Sequence, residues 1–347
     1  MGALRLGSLC TGYGGLDLAA AAVFDVEPVF HAEVDPAAAR VLEHRFPGVP
    51  NLGDITAVDW HTVPRVDVLS AGYPCQPESL AGQRKGVDDE RWIWPSVAQA
   101  VRVLRPRIVL LENVHGHLSL GFRGVLGDLA RLGFDAEWLV LAASDLGACH
   151  QRKRLFVLAR PADADGESLR LEPVPEPRGE HPAVAGRARP EAAAAHAPGI
   201  GEREPADQAQ PVPARGHARA LARGGGLLPT LTADAGVKGS PNQANSAGIP
   251  SLSAAVQPAR WGRYADAIAR HARLAGRPAP EPTNPGPNGP RLAPRFAEWV
   301  MCLPDGWVTD VPGIARADAL HILGNGVIPA QGEAAYRELA RRIGGQR

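Results

Sequence analysis

The segment LRLGSLCTGYGGLDLAAAAVF, residues 4–24, combines the patterns of a strand, a glycine-rich turn and a helix. Its first six residues are mostly apolar, which is typical of a buried strand. Glycines follow at positions 12, 14 and 15, where they allow the backbone to approach a ligand closely. The run from Leu16 to about Phe24 favours a helix. This order predicts the first unit of a doubly wound α/β sheet.

Acidic residues follow the next two predicted strands. The second strand is predicted over residues 26–34, and it carries Glu33 with Asp35 behind it. An acid at this position suits the hydroxyl groups of a ribose. A third strand is predicted to close at residues 53–55, where Asp54 can accept a hydrogen bond from an adenine amine. Together with the glycine-rich turn, these acids predict a site for a nucleoside cofactor.

A cysteine lies between two prolines immediately after another predicted strand. The apolar run VDVLSA, residues 66–71, is followed by GYPCQP, residues 72–77. Because the prolines fit neither a regular helix nor a sheet ladder, we expect a stiff loop to present the Cys75 thiol. That loop would lie at the edge where open parallel sheets bind ligands, as suits a nucleophile. A lone cysteine is more often a small buried apolar residue, so the neighbouring motifs decide the interpretation.

Two further polar motifs adjoin apolar runs. Glu112 begins Glu-Asn-Val at the end of the run 107–111, and Gln-Arg-Lys-Arg at 151–154 precedes the run 155–159. Side chains two apart at a strand start point the same way, so the two arginines, Arg152 and Arg154, are predicted to serve one polar site. Taken singly, a residue such as Glu112 is more often a cap or surface group, and arginines such as these are more often part of a solvated edge.

In this order and spacing, the motifs resemble the DNA cytosine-5 methyltransferase family of restriction-modification, orphan and phage enzymes. The shared order is a glycine-rich loop, Pro-Cys-Gln, Glu-Asn-Val, Gln-x-Arg-x-Arg, to which Arg152 and Arg154 correspond, and a late Gly-Asn-x-Val-x-Pro at 324–329. The resemblance covers residues 4–160 nearly continuously and 289–340 more loosely. It implies a doubly wound, mostly parallel α/β sheet of the S-adenosylmethionine-dependent type, with a smaller, irregular target-recognition region.

The resemblance implies methyl transfer from S-adenosyl-L-methionine to carbon 5 of a flipped cytosine in double-stranded DNA. A thiolate that adds to carbon 6 makes carbon 5 nucleophilic, and by resemblance Cys75 is that nucleophile. Glu112 would serve ring nitrogen 3, and Arg152 and Arg154 would orient the base. The implied cofactor contacts are Cys10, Thr11, Gly12, Gly14, Gly15, Glu33, Asp54 and Asn325. The implied DNA contacts are Gln76, Ser79, Arg263 and Arg295, and no metal ligand is implied.

Three motifs depart from the family pattern. The glycine loop begins Ser-Leu-Cys rather than Asp-Leu-Phe, so Cys10 lacks an aromatic face to stack on adenine. Glu78 stands where the family usually has Phe, which brings a carboxylate close to the thiolate. Gly326 stands where Ser is common. None of these changes removes a catalytic group.

Four parts are predicted along the chain. Residues 1–160 form the catalytic and cofactor-binding domain. Residues 161–226 are rich in Ala, Pro, Arg, Glu and Gly and predict a disordered insertion. Residues 227–312 hold the target-recognition region, and residues 313–347 return to the catalytic domain. The aromatic and basic residues that favour this placement are Trp261, Arg263, Tyr264, Arg291, Arg295, Trp299 and Trp307, with a core role equally expected for Trp299 and Trp307.

Composition agrees with a cytoplasmic protein of bacterial or phage origin. The 347 residues, 45% of them hydrophobic, give room for about two domains with a large core. Four cysteines lie far apart without a Cys-x-x-Cys pair, which favours neither a disulfide framework nor a zinc site. Neither a signal-peptide pattern nor an apolar run of about 18 residues is present, so no export or membrane span is expected.

The net charge of zero is unevenly distributed. Residues 1–159 carry 15 basic and 18 acidic side chains, whereas residues 231–347 carry 13 and 9. The later segment is therefore the better candidate to follow phosphates. A monomer is expected, and a cognate restriction endonuclease is an admissible partner.

Other classes of function stay open at this point. A tRNA cytosine-5 methyltransferase shares the same catalytic set. A non-catalytic DNA-binding relative would be expected to have lost Cys75, Glu112 or an arginine, and all are present. A dinucleotide-dependent oxidoreductase is less favoured, because residues 12–17 do not complete Gly-x-Gly-x-x-Gly. Duplex DNA is the preferred substrate.

Overall fold

A six-stranded sheet forms the centre of the protein. The structure is a computed structural model, and it describes residues 2–74, 93–163, 226–233, 252, 261–287 and 289–345. The strands are β1 (Leu4–Leu9), β2 (Val26–Ala32), β3 (Val68–Ala71), β4 (Ile108–Val114), β5 (Phe134–Ala142) and β6 (Lys153–Pro161). Their spatial order in the sheet is β2-β1-β3-β4-β6-β5. All neighbours up to β4 pair in parallel, and β6 is antiparallel to both β4 and β5. The predicted doubly wound, mostly parallel sheet is confirmed.

Helices cover both faces of this sheet. The helices are α1 (Gly15–Val23), α2 (Pro36–Arg45), α3 (Trp94–Leu104), α4 (Phe122–Arg131), α5 (Ala265–Leu274), α6 (Pro294–Val300), α7 (Arg316–Asn325) and α8 (Pro329–Gly345). On one face α1 and α8 pack on the side chains of Phe156 and Leu158, and on the other α3 and α4 pack on Leu155 and Val157. Successive residues of β6 thus enter opposite cores, as the two-residue repeat of a strand requires.

The last helix, α8, begins at Pro329, where a missing backbone N–H costs no hydrogen bond. Tyr336 on this helix is fully buried and donates its hydroxyl to the carbonyl oxygen of Leu111 in β4 at 3.0 Å. The chain after the late motif therefore packs on the central sheet. Within the described residues, no helix has both the length and the apolar character needed to cross a lipid bilayer.

A separate hydrophobic core joins α5, α6 and α7, together with a short pair of strands, β7 (Thr283–Asn284) and β8 (Arg291–Leu292). Trp299 is fully buried there and stacks against Phe296, which in turn stacks on Trp261. Trp307 packs against the same core and donates its indole N–H to the carbonyl of Tyr13 at 2.8 Å. Both tryptophans that had two interpretations in the sequence are therefore packing residues.

The predicted third strand at residues 53–55 is wrong. Near this stretch, Asn51 forms an isolated bridge with His31, and the chain then leaves the sheet. Gly53 has a φ of 72°, a left-handed conformation that no sheet ladder accepts. Asp54 follows in a turn, where its carboxylate accepts bonds from the Thr56 amide and hydroxyl at 2.9 and 2.8 Å. The third strand of the chain is β3, at 68–71.

The second strand is shorter than predicted and ends at Ala32 rather than residue 34. The next residue, Glu33, donates its amide to the Asn51 side chain at 2.9 Å, and its carbonyl accepts from the same amide group at 3.0 Å. A side chain thus replaces the ladder partner, and the strand stops. Of the predicted insertion at 161–226, the structure describes only residues 161–163 and 226, and Pro161 still belongs to β6.

Candidate active site

A cavity of about 760 Å³ opens at the carboxyl ends of the parallel strands. This edge is where open α/β sheets bind their ligands. Its wall is formed by the ends of β1 to β4, the turn before α1, and the turn between α7 and α8. The predicted site residues that line it are Cys10, Thr11, Gly12, Glu33, Asp54, Glu112, Arg154 and Asn325.

In the glycine-rich turn, one glycine faces the cavity and two are packed against the core. Gly12, with a φ of 58°, has open space where a side chain would begin, so a ligand can approach its backbone. A Cβ on Gly14 would lie 2.9 Å from the Phe46 ring, and one on Gly15 would lie 2.3 Å from the Val327 carbonyl oxygen. These two predicted cofactor contacts therefore do not line the cavity. They are needed for close packing behind it.

Glu33 is held in a defined orientation on the cavity wall. Its carboxylate accepts the Gly12 amide at 2.7 Å through one oxygen and the Asp35 amide at 2.8 Å through the other. Each oxygen keeps a further lone pair for a ligand hydroxyl. Hydrogen bonds from the backbone and side chain of Thr56 lower the pKa of Asp54, so this exposed acid is ionised at neutral pH.

Cys10 contributes a neutral wall to the same cavity. Burial, then the charges of Glu33 and Asp54, raise the pKa of its thiol to about 12. A thiol with this pKa is protonated at neutral pH and is a poor nucleophile. Cys10 therefore has the properties of a small apolar contact.

Helix α7 brings to the cavity a residue that the sequence analysis did not single out. His321 lines the cavity one helical turn before Asn325, with its Nε2 3.3 Å from the Asn325 Nδ2 and 4.0 Å from the Asp35 Oδ2. The four-residue spacing on a helix would have placed both side chains on one face. Without the helix boundaries that spacing carries little information.

A buried ion pair lies at the end of β4. The Nε of Arg154 is 2.9 Å from the Oε1 of Glu112, and both side chains are mostly buried. The ladder pairs Glu112 with Phe156 and Val114 with Arg154, so the charged groups are diagonal neighbours across the strands. Burial raises the pKa of Glu112, whereas the charges of Arg154 and Arg152 lower it.

Arg152 does not share this site, contrary to the prediction. It is 2% exposed, does not line the cavity, and donates to the carbonyl oxygens of Leu231 at 3.1 Å, Gly324 at 3.0 Å and Gly326 at 2.5 Å. Its backbone has a φ of 34°, because β6 begins only at Lys153. The two-residue alternation of a strand therefore does not extend to it. Burial, followed by the charge of Arg154, lowers its pKa to about 9, which leaves it cationic at neutral pH.

The predicted nucleophile Cys75 lies outside the described residues, as do Gln76, Glu78 and Ser79. The chain leading to it is tightly held. The Tyr73 carbonyl accepts from the Asn113 side chain at 3.1 Å, and the Tyr73 hydroxyl lies 3.0 Å from the buried Nε2 of His117. Tyr73 and Pro74 both line the cavity beside Glu112.

The two predicted DNA-contacting arginines are away from the cavity. Arg263 lies over the Tyr264 ring, 5.0 Å from its centroid, and donates to the hydroxyl of the same residue at 2.8 Å. Arg295 forms ion pairs with Asp305, at 3.5 Å, and with Asp310. Its charge is thus already partnered in the free protein, whereas the partner of Arg263 is neutral.

A doubly wound sheet with a polar cleft at its carboxyl edge is consistent with the α/β methyltransferase class, whose architecture other nucleotide-binding classes share. The family model described as C-5 cytosine-specific DNA methylase matches residues 4–192, more than half of the chain. The chain belongs to this family, and the resemblance seen in its motifs is confirmed.

Curated relatives match less than half of the chain. Type II methyltransferase M.NlaIV of Neisseria lactamica is 32% identical over 160 residues, which is 43% of this chain and 38% of that enzyme. Type II methyltransferase M.HgiBI of Herpetosiphon aurantiacus is 36% identical over 162 residues, 44% of this chain and 36% of that enzyme. The matched stretch thus spans less than two fifths of each relative.

Solved structures resemble the whole chain at low identity. The Schizosaccharomyces pombe Dnmt2 methyltransferase has a TM-score of 0.57 at 13% identity, covering 98% of this chain and 99% of that one. The Entamoeba histolytica methyltransferase EhMeth has a TM-score of 0.57 at 12% identity and covers 99% of both chains. At this identity the likeness establishes a common fold.

Proposed function

We propose that this protein transfers a methyl group from S-adenosyl-L-methionine to carbon 5 of a cytosine in double-stranded DNA. The observation that carries the proposal is the buried Glu112, paired with Arg154, on the wall of the same cavity as Glu33. An acid of raised pKa and a nucleoside-type cleft are thereby brought together. A proton donor beside a cofactor pocket is what methylation of a cytosine ring requires.

The described residues fit S-adenosylmethionine. A volume of about 760 Å³ suits a ligand of its size. Glu33 would accept the ribose hydroxyls, Asp54 would accept the adenine amine, and the open backbone at Gly12 would lie against the methionine part. Asn325 would close the opposite wall. When bound, the cofactor supplies an electrophilic methyl group on a sulfonium.

The side chains of the protein would act on the base. The Cys75 thiolate adds to carbon 6, and the electron pair of the 5,6 double bond becomes available at carbon 5. After carbon 5 has taken the methyl group, loss of its proton restores the double bond and releases Cys75. The clamp on Tyr73 supports this role, since it fixes the chain entering residue 75 beside Glu112.

Glu112 would serve ring nitrogen 3, where negative charge develops as the thiolate adds. Burial raises its pKa and favours the proton that such a role needs, while Arg154 holds the carboxyl group in one orientation. Pre-placed groups of this kind stabilise a transition state without reorganisation. The base must leave the duplex to reach them, which implies flipping.

Duplex DNA is the proposed partner, with Gln76, Ser79, Arg263 and Arg295 as proposed contacts. Of the two arginines, Arg263 is the better candidate for a phosphate, because Arg295 would first have to leave two aspartates. The curated relatives are Type II methyltransferases, which supports a role beside a restriction endonuclease.

Bisulfite sequencing of a plasmid carried in cells that express the protein tests the proposal. Wild-type protein should protect cytosines within one sequence context, and Cys75→Ser should protect none while still binding the cofactor. Purified protein should also form a covalent complex with DNA that contains 5-fluorocytosine, because fluorine blocks the final elimination. Methyl incorporation into tRNA but not into duplex DNA would show that tRNA, rather than DNA, is the substrate. Turnover by Cys75→Ser would overturn the mechanism.

A further inference from the structure

The Arg152 guanidinium is a buried cation that the proposed chemistry leaves without a task. Its three carbonyl acceptors come from two separate parts of the chain. Leu231 belongs to the segment 226–233, and the glycines at 324 and 326 flank Asn325 on the cavity wall. One side chain therefore ties a wall of the cavity to a segment outside it.

The segment 226–233 is fitted closely to that wall. A Cβ on Gly324 would lie 2.3 Å from the backbone of both Thr232 and Ala233, so the two chains touch there. The segment is held on its other side by the residues that precede β6, since the Leu228 amide donates to the Cys149 carbonyl at 2.7 Å. The Arg152 amide also lies 3.3 Å from the hydroxyl of Thr230.

The wall is in turn packed against the glycine-rich turn. A Cβ on Gly326 would fall within the Tyr13 ring, and the Tyr13 hydroxyl donates to the Val327 carbonyl at 2.7 Å. The turn between α7 and α8 is thus held from both sides. Arg152 supplies the polar bonds on one side, and Tyr13 supplies the bond on the other.

We infer that Arg152 is a positioning residue that holds the Asn325 wall of the cavity in register with the segment 226–233, and so sets the affinity for cofactor. The inference rests on the proposed function. Because the guanidinium does not reach the cavity, its loss should change cofactor binding far more than the rate at saturating cofactor. Arg154, which lines the cavity, is expected to behave in the opposite way.

The test uses two different changes at this junction. Arg152→Met removes all donors at similar length, and Gly324→Ala pushes the wall away from residues 232 and 233 without removing the guanidinium. S-adenosyl-L-homocysteine is the probe, titrated calorimetrically into the full chain. Each variant should raise the Kd by roughly tenfold to a hundredfold, the range expected when buried carbonyls lose their partner. Arg152→Lys, which keeps the charge and some donors, should recover part of the affinity.

Arg160→Met, on β6 and outside the cavity wall, is the matched control and should leave the Kd unchanged. The turnover number at saturating cofactor should fall less than threefold or so in the Arg152 variants. A large loss of turnover with normal affinity would overturn the inference and return Arg152 to the base pocket. Unchanged affinity in both Arg152→Lys and Gly324→Ala would also overturn it. If wild-type protein bound no probe at all, the proposed function would fail instead.

Discussion

Single side chains in this protein derive their chemistry from burial as much as from residue type. Cys10 and Glu112 both line the cavity and both have a raised pKa because burial disfavours their charged forms. The consequence differs between them. The protonated Cys10 thiol is a poor nucleophile, whereas a raised pKa in Glu112 favours proton donation in the role proposed for it beside Arg154.

Glu112→Gln keeps the shape of this side chain and removes its titratable carboxyl group. We expect the turnover number to fall about 10²–10⁴-fold, the usual contribution of general acid–base assistance, with cofactor affinity unchanged. Single-turnover methylation kinetics and a cofactor titration measure the two effects separately. The control is Glu27→Gln, at an exposed residue of β2. An effect on cofactor affinity alone would mean that Glu112 belongs to the cofactor site.

At the scale of elements, two buried histidines join the start of β6 to the core formed by α5 and α6. His150 lies 3.0 Å from the Val300 carbonyl, and His271 lies 2.8 Å from the Trp299 carbonyl and accepts the Cys149 amide at 3.3 Å. The bonds of His271 require the neutral ring. Burial lowers the pKa of His150 to about 3 and of His271 to about 4.

The free energy of unfolding should therefore decrease as the medium is acidified. Each histidine binds a proton near pH 6.5 when unfolded but only near pH 3 or 4 when folded, so its contribution is complete above pH 6.5 and is lost below it. Between pH 7.5 and 5 we expect a loss of about 2 kcal/mol for each histidine. Urea unfolding of wild type and His271→Gln measures this. The variant should lose less stability over that range, whereas the exposed His61→Gln should match wild type.

At the scale of the whole molecule, the cavity is assembled from short pieces spread over most of the chain. Its wall takes residues from the ends of four strands, from Arg154, and from positions 321–327 near the carboxyl terminus. The segment 226–233 then braces this last piece. The described residues on the two sides of the stretch 164–225 lie at opposite ends of β6. Pro161 ends β6, whereas Leu228 lies beside His150, before β6 begins.

This arrangement changes how the predicted insertion can be removed. The two ends are separated by the nine residues of β6, about 30 Å, so a short linker would strain the fold. Replacing residues 164–225 with a flexible Gly/Ser linker of about 30 residues should leave activity and sequence preference largely unchanged. Bisulfite sequencing measures both. A folded variant that methylates without sequence preference would place target recognition in the removed stretch.

The sequence alone located β1, β2, β3, β4 and β6, the helix after β1, and the motifs at the edge of the sheet, because apolar periodicity and turn residues act over a few neighbours. It also predicted a strand at 53–55 that does not form. It located Glu33, Glu112 and Arg154 at strand ends, and these now share one cavity. Only the tertiary structure decided that Arg152 turns away from them. Its partners lie 79, 172 and 174 residues further along the chain, and no local pattern encodes contacts at that distance.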